Sequence, residues 1–270
     1  MAILALPISH QIPTEVLLPT MRIKDIHRYE LKYVLHRDQA EAVKKTLADY
    51  VIPDSYGDAH GQYTVTSLYF DSADYKAYWD KLDGHPFRRK VRVRVYGDHR
   101  VTSETPAFLE IKQRLDKSVS KRRVLLPYSS AEALHHLPEV SPGKHPPADG
   151  DVLEEVIYLH DTLQLQPACI VSYNRLAFNG GAYDPGLRIT FDTNLKGRVH
   201  DLSLLSGGYA KNHYFAPPEW CVMEIKVNSR VPYWLTEVIG KHQCSIRRIS
   251  KYCSTLESNH VILNRQHILV

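Results

Sequence analysis

Lys90, Arg92 and Arg94 alternate with Val91, Val93 and Val95, a spacing of two that puts a row of cations on one face of a strand and β-branched apolar groups on the other. The same period recurs in six other segments. Arg28, Glu30 and Lys32 share a parity in HRYELKYVL; Glu110, Lys112 and Arg114 in AFLEIKQR; Lys121 and Arg123 in VSKRRV. Tyr173 and Arg175 do so in IVSYNRL; Arg188, Thr190 and Asp192 in LRITFD; Glu224 and Lys226 in CVMEIKV. One charged strand face is ordinary solvated surface, but exposed sheets mix Thr, Ser, Gln, Lys and Glu and seldom carry Lys or Arg on strand after strand. The chemistry such a face suits is the capture of a polyanion. The sparse carboxylates suit a hard divalent ion that bridges them to phosphate oxygens. Glu224 reads as such a ligand, Glu30 is the second candidate and stands open between that role and ion pairing, and Glu110 reads as a charge-balancing partner of neighbouring cations. GxxxxGK[ST], GxGxxG and GxSxG are all absent, so phosphate binding has to come from side chains.

Elements able to position these residues follow from the same periodicity. Strands are predicted over 27–35, 62–70, 89–96, 107–114, 119–126, 168–176, 187–192 and 220–227, mostly antiparallel because several are joined by short turns. Helices are predicted after Asp38, a candidate N-cap, with Ala40, Val43, Leu47 and Tyr50 on one face, and over 72–81, 129–137, 151–163, 232–241 and 246–257. In the last of these Ile246, Ile249, Cys253 and Leu256 form the expected buried stripe. The Pro- and Gly-rich stretch 140–150 reads as a loop. Charged strands of one kind lie on both sides of it, so a single domain is expected over 26–258, after an extension over 1–25 and before a tail over 259–270. The predicted class is α+β: an antiparallel eight-stranded β-barrel with charged faces inward and apolar faces covered by helices. A dry interior holding that many cations would be prohibitively costly, so it stays wet or holds a polyanion.

Composition excludes several classes. With 43% hydrophobic and 24% charged residues, the chain is neither disordered nor membrane-embedded in character, and no stretch has the apolar length of a spanning helix. The first residues lack the features of a signal peptide, so a cytoplasmic location is expected. Cys169, Cys221, Cys244 and Cys253 form no CxxC pair and the fifteen histidines show no ligand spacing, which leaves neither type a metal role. Net charge is only +4, yet residues 88–123 hold twelve Lys and Arg against four Asp and Glu, the footprint of a local anion site. A nucleic-acid partner is not expected, because the arginines of RKVRVRVY alternate with valines and not with aromatic stacking groups.

Taken in order, RYELKYVL, SLYFDSADYKAYWDKLDG, RRKVRVRVYG, FLEIKQR, VSKRRVLL, VSYNRLAF, LRITFD, VMEIKV and RRISKYCSTLE resemble the catalytic domain of the vacuolar transporter chaperone (VTC) family, polyphosphate polymerases within the triphosphate tunnel metalloenzymes. The resemblance runs from about Ile26 to Glu257. It implies a tunnel that binds a nucleoside triphosphate and polyphosphate with Mn²⁺ or Mg²⁺. It implies Lys32, Arg92, Arg94, Lys112, Lys121, Arg175 and Arg188 on phosphates, Glu224 on the metal, and Lys226, Tyr173, Ser250 and Lys251 around the tunnel. Ser250 and Lys251 come from the resemblance alone. The implied reaction transfers the γ-phosphoryl group of ATP to a growing inorganic polyphosphate chain, or to phosphate. The alternatives are a triphosphatase of the same superfamily and a non-catalytic polyphosphate-binding module. Hydrolases of the superfamily open with ExExK, whereas Arg28 stands at the first acidic position here, which makes a two-metal water activation harder to build. The SPX and transmembrane domains of eukaryotic relatives are not recognisable in these residues, so regulation, and attachment to the inner face of a membrane, are expected to come from a separate membrane-protein partner.

Overall fold

A computed structural model describes residues 29–116, 118–134, 147–206, 211–228 and 230–262. The expected extension over 1–25, Arg28, and residues 140–146 of the expected loop lie outside the described residues. The long strands are β1 (Tyr29–His36), β3 (Gln62–Asp71), β4 (Phe87–Tyr96), β5 (Pro106–Leu115), β6 (Ser118–Pro127), β7 (Gln166–Gly180), β8 (Asp184–Arg198) and β10 (Trp220–Val227). They form one antiparallel sheet in the order β1-β10-β8-β7-β3-β4-β5-β6, with the two-residue strands β2 (Ile52–Pro53) and β9 (His213–Tyr214) attached to β7 and β8. The helices are α1 (Arg37–Leu47), α2 (Lys76–Leu82), α3 (Tyr128–Glu132), α4 (Pro147–Leu163), α5 (Tyr233–Lys241) and α6 (Lys251–Ser258). The class is α+β, as the periodicity predicts.

The alternation along β4 sorts as expected: Val91, Val93 and Val95 are buried in a cluster with Leu109, Ile111 and Val124 of β5 and β6 and with Val152, Leu153, Val156 and Leu159 of α4. At the other end of the sheet, Tyr33, Leu35, Ile189, Met223 and Ile225 pack under Val43 and Leu47 of α1 and Leu235 and Val238 of α5. The apolar faces of the strands are therefore the helix-covered outer faces, and the cations share the opposite, concave face. Val93 is completely buried. Val93→Asp is expected to abolish cooperative folding, because it puts a carboxylate with no partner against α4 at a cost of several kcal/mol; a thermal melt by circular dichroism checks this, and a native-like transition would reverse the assignment of the two faces.

Three expectations are corrected. Among the described residues the sheet has ten strands, not eight, and its hydrogen-bonded path ends at β1 and β6 without a ladder between them, so they do not form a closed barrel. The free edge of β1 is used otherwise: Tyr33 forms a bridge with Ile246, and Arg247 N–H donates to Lys32 C=O at 2.8 Å. For the same reason the last helix starts at Lys251 and not at 246. Residues 246–247 run beside β1, Ile246 is 62% exposed, and the buried stripe consists of Tyr252, Cys253, Thr255 and Leu256. Finally, α1 begins one residue before Asp38, with His36 as its N-cap, and ends at Leu47, so Tyr50 lies beyond the helix and stacks on Trp234 at 4.5 Å. A negative charge in the first turn and Lys44 and Lys45 in the last suit the helix dipole.

The concave face also has an apolar part. Val65, Tyr69, Cys169, Val171, Tyr173, Leu195 and Val222 cluster with Tyr252, Cys253 and Leu256, so α6 is seated on the inner side of the sheet. Tyr252 is fixed there by a hydrogen bond to Asp71, whose carboxylate also accepts from the N–H groups of Ser72, Ala77 and Tyr78. The N-terminus of α6 is thereby aimed at the charged residues.

Candidate active site on the concave face

The charged side chains form four groups, each built around a carboxylate. Glu110 of β5, completely buried, receives Arg92 Nε at 2.7 Å and Lys121 Nζ at 3.2 Å, with Arg94 Nη1 at 3.8 Å. Arg92 faces Glu110 directly across β4–β5, and Lys121 is diagonal to it, because Glu110 faces Arg123, next but one to Lys121, across β5–β6. Burial pushes the Glu110 carboxyl up, but Arg92, Arg94 and Lys121 more than offset it and hold it well below the usual range. Arg92 also donates to Tyr69 Oη at 2.9 Å, and Arg94 to Ser67 Oγ at 3.0 Å and Tyr173 Oη at 3.4 Å. The charge-balancing role expected of Glu110 matches this geometry.

The second group spans the sheet. Glu30 of β1 holds Lys32 at 2.8 Å and Lys112 of β5 at 3.2 Å, although β1 and β5 are far apart in the strand order. The sheet therefore curls far enough for its two ends to meet through side chains. Burial and the nearby Glu224 push the Glu30 carboxyl up, while Lys32, Lys112 and Lys226 together bring it down to about 2. Glu224, only 6% exposed, pairs with Lys226 at 2.6 Å and lies among Lys32, Lys251 and Lys112, which keep it well below its ordinary value despite burial. Glu30 pairs with Lys226, and Lys32 with Glu224, in the β1–β10 register, so the two carboxylates are diagonal neighbours.

The third group is the buried Asp192 of β8, which accepts both Nε and Nη2 of Arg175 at 2.7 and 2.8 Å and an ion pair from Lys251 at 2.7 Å. The Tyr173 ring lies beneath both cations, 5.2 Å from the Arg175 guanidinium and 4.8 Å from the Lys251 ammonium. Ser250 is the N-cap of α6, its hydroxyl accepting from Cys253 N–H at 3.4 Å, and so sets the direction in which Lys251 leaves the helix. In the fourth group Arg188 pairs with Asp54 and donates to Tyr63 Oη at 3.0 Å.

All thirteen candidates thus lie on or beside one concave face. Tyr63 and Tyr69, being uncharged, carry no signal in the charged pattern, whereas Asp192 shares the parity of Arg188 and Thr190 on the charged face. Asp54 lies outside any long strand, so no period could find it. Lys251 was legible only through the family resemblance, because a residue at a helix start shows no strand parity.

Lys112 yields a pH prediction. Burial, with Lys32 and Lys226 adding to it and Glu30 and Glu224 opposing it, pulls its ammonium from 10.5 to about 8. A lysine whose folded value is depressed loses its charge early, so triphosphate binding is expected to weaken as pH rises through 8, with proton uptake on binding in that range. Stability without ligand shifts the other way: below 8 the folded state bears the cost of the partly desolvated ammonium, and the contribution of this group rises between 8 and 10.5. Calorimetry in two buffers of different ionisation enthalpy measures the uptake. Lys112→Arg should flatten the binding profile around pH 8, and an unchanged profile would assign the effect elsewhere.

Thr190 Oγ1, directly opposite Glu224 across β8–β10, is buried without a hydrogen-bond partner among the described residues. Among the described residues no three His, Cys, Asp or Glu side chains converge as a ready-made metal cage. What is present, two neighbouring carboxylates beside an orphaned hydroxyl, fits the kind of Mg²⁺ or Mn²⁺ site that is completed by substrate phosphate oxygens and water. The four cysteines are free.

The chain is 25% identical over 226 residues to vacuolar transporter chaperone complex subunit 4 of Trypanosoma cruzi (strain CL Brener), a match covering 72% of this chain and 28% of that protein. The chain thus spans less than a third of the length of that relative. Among solved structures, the Hippeastrum adenylyl cyclase candidate HpAC1, described as having a dominant triphosphatase activity, aligns with a TM-score of 0.49 and 13% identity, covering 86% of this chain and 96% of that one. A candidate adenylate cyclase from Bacillus halodurans aligns with a TM-score of 0.45 and 12% identity, covering 83% and 95%. No helix among the described residues is long and apolar enough to cross a membrane. Residues 27–260 match the VTC domain family, and the chain belongs to it.

Proposed function

We propose that this chain is a phosphate-transfer enzyme that moves the γ-phosphoryl group of ATP onto the end of an inorganic polyphosphate chain, or onto phosphate to start one, releasing ADP. The observation that carries the reading is the meeting of Lys112 with Glu30. It brings a cation of β5 to a carboxylate of β1 across the curled sheet, and on this reading Lys32, Arg92, Arg94, Lys112, Lys121, Arg175, Arg188, Lys226 and Lys251 together bind a single extended polyanion. The acceptor oxygen of phosphate or polyphosphate is already anionic, so the reaction demands no general base, and positioning with charge neutralisation suffices. Arg92, Arg94 and Arg175 are held rigidly by Glu110, Ser67, Tyr173 and Asp192, so they are oriented before the substrate arrives. Lys226 and Lys112 lie in surroundings that disfavour their charge, and a phosphate oxygen relieves that cost. Glu224 and Glu30 would hold Mn²⁺ or Mg²⁺, which when bound neutralises charge between the β and γ phosphates.

The catalytic unit is taken as 26–258, working on the inner face of a membrane through a separate membrane-protein partner. The Trypanosoma cruzi relative, a complex subunit by name, supports such an arrangement. The test is incubation of the purified chain with labelled ATP and Mn²⁺ or Mg²⁺, followed by separation of products on a gel. A polyphosphate ladder is the expected result. Orthophosphate alone would make it a triphosphatase, and ATP bound without turnover would make it a binding module.

A further inference from the structure

Most inner cations are matched to a carboxylate, but among the described residues a group at the outer ends of β4 and β5 is not. Arg88 and Arg114 stand directly opposite each other in the β4–β5 register, as do Lys90 and Lys112 one step further in. Like charges placed directly across an antiparallel pair repel and destabilise it. The two arginines are held apart by backbone carbonyls: Arg88 Nη1 donates to His85 C=O at 2.6 Å and Arg114 Nε to Asp116 C=O at 2.7 Å. Lys90 Nζ sits 4.3 Å above the Tyr252 ring and 3.7 Å from Cys253 Sγ. Among the described residues none of the three has an ion pair with a carboxylate, in contrast to Arg92, Arg175, Arg188, Lys32 and Lys226. Lys81 of α2 and Arg248, just before α6, complete the patch. Burial and the neighbouring Arg88, Lys90 and Arg248 lower Lys81 against an opposing effect of Cys253, and burial and Arg114 lower Arg88 although Asp80 and Cys253 oppose them. A sheet that opposes cations in this way carries a cost without an anion, and the cost is relieved by one that spans them.

We infer that Arg88, Lys90, Arg114, Lys81 and Arg248 form a second anion subsite, beyond the carboxylate-matched cations and continuous with them, that binds the part of a polyphosphate chain extending past the triphosphate length bound at the main site. This rests on the polyphosphate reading above. A flexible chain of equally spaced anionic phosphates suits it because the cations follow the strand ends from Lys112 outward through Lys90 to Arg88 and Arg114. Each contact adds affinity and salt dependence without any base or sugar recognition.

The experiment compares tripolyphosphate with long-chain polyphosphate, by calorimetry across a salt series, for the wild type, Arg88→Gln/Arg114→Gln and Arg88→Lys/Arg114→Lys. The glutamine pair is expected to leave tripolyphosphate affinity unchanged, weaken long-chain binding roughly tenfold, and reduce the slope of log affinity against log salt by about 1.4. It should melt at or above the wild-type temperature, because a repulsive pair is gone. The lysine pair should retain long-chain binding. If the glutamine pair binds both ligands as the wild type does, or loses both equally, there is no second subsite, while the main-site reading is untouched. If no protein binds tripolyphosphate, that main-site reading fails instead. Single-stranded DNA competing for the patch as well as polyphosphate of equal charge would overturn the ligand class.

Discussion

Arg92→Ala is expected to lower the unfolding free energy by about 3 kcal/mol or more, the usual consequence of removing one partner from a buried ion pair. Parity alone leads to the opposite expectation, because taking one cation out of a crowded row relieves repulsion. The geometry decides against that. Glu110 is completely buried and takes its shortest contact, 2.7 Å, from Arg92, leaving Lys121 at 3.2 Å and Arg94 at 3.8 Å after the substitution. Tyr69 Oη loses its 2.9 Å donor at the same time. Because the Glu110 carboxyl is held well below its ordinary value, its contribution is present above the unfolded-state value and is lost as pH falls. Arg92→Ala should therefore narrow the gap in stability between neutral and acidic solution. Denaturant melts of Arg92→Ala, Glu110→Gln and the double variant form a cycle, in which the double variant is expected to recover part of the loss. Strictly additive losses, or a wild-type midpoint for Arg92→Ala, would show that the pair contributes nothing.

Glu224→Gln is expected to reduce turnover by a factor of about 100 to 1,000, the scale found when a group stabilising transition-state charge is removed. The amide keeps the shape of the side chain but not the anionic oxygen that binds a hard cation. Glu224 is also the anion around which Lys226, Lys32, Lys251 and Lys112 are arranged. Its neutralisation leaves those ammonium groups free for phosphate, so ATP should bind as tightly or more tightly without metal. Without ligand the same change removes the partner of Lys226 and a compensating charge near Lys32, Lys251 and Lys112, so the variant should melt below the wild type and recover on adding tripolyphosphate by more than the wild type gains. The paired measurement is calorimetric ATP affinity in the absence of metal and product formation in Mn²⁺. Equal product formation by both proteins would make Glu224 a charge-balancing residue only.

Period-two alternation by itself determined which side chains share a strand face, and with it the charged face and the covered apolar face. That much is local, because successive Cβ atoms must point to opposite sides and a run such as Lys90–Tyr96 leaves one arrangement with a buried apolar row. Composition of the face likewise showed that cations repeated on many strands need a counter-charge, which Glu110, Asp192, Asp54 and Glu224 supply in part. What period two could not decide is anything that depends on distance between strands. Glu30 and Lys112 are far apart in sequence and in strand order, and only the curl of the sheet brings them to 3.2 Å. Asp54 has no strand parity, yet the path of the chain before β3 places it on Arg188. The edge of β1 looked free to close a barrel until residues 246–247 took its hydrogen-bonding groups, a long-range pairing that also shortened α6 and set Ser250 as its cap and Lys251 as its inward cation. The balance of charge at each position was tertiary too: Arg92 and Arg88 share one strand face and one local pattern, but the first meets Glu110 and the second meets Arg114.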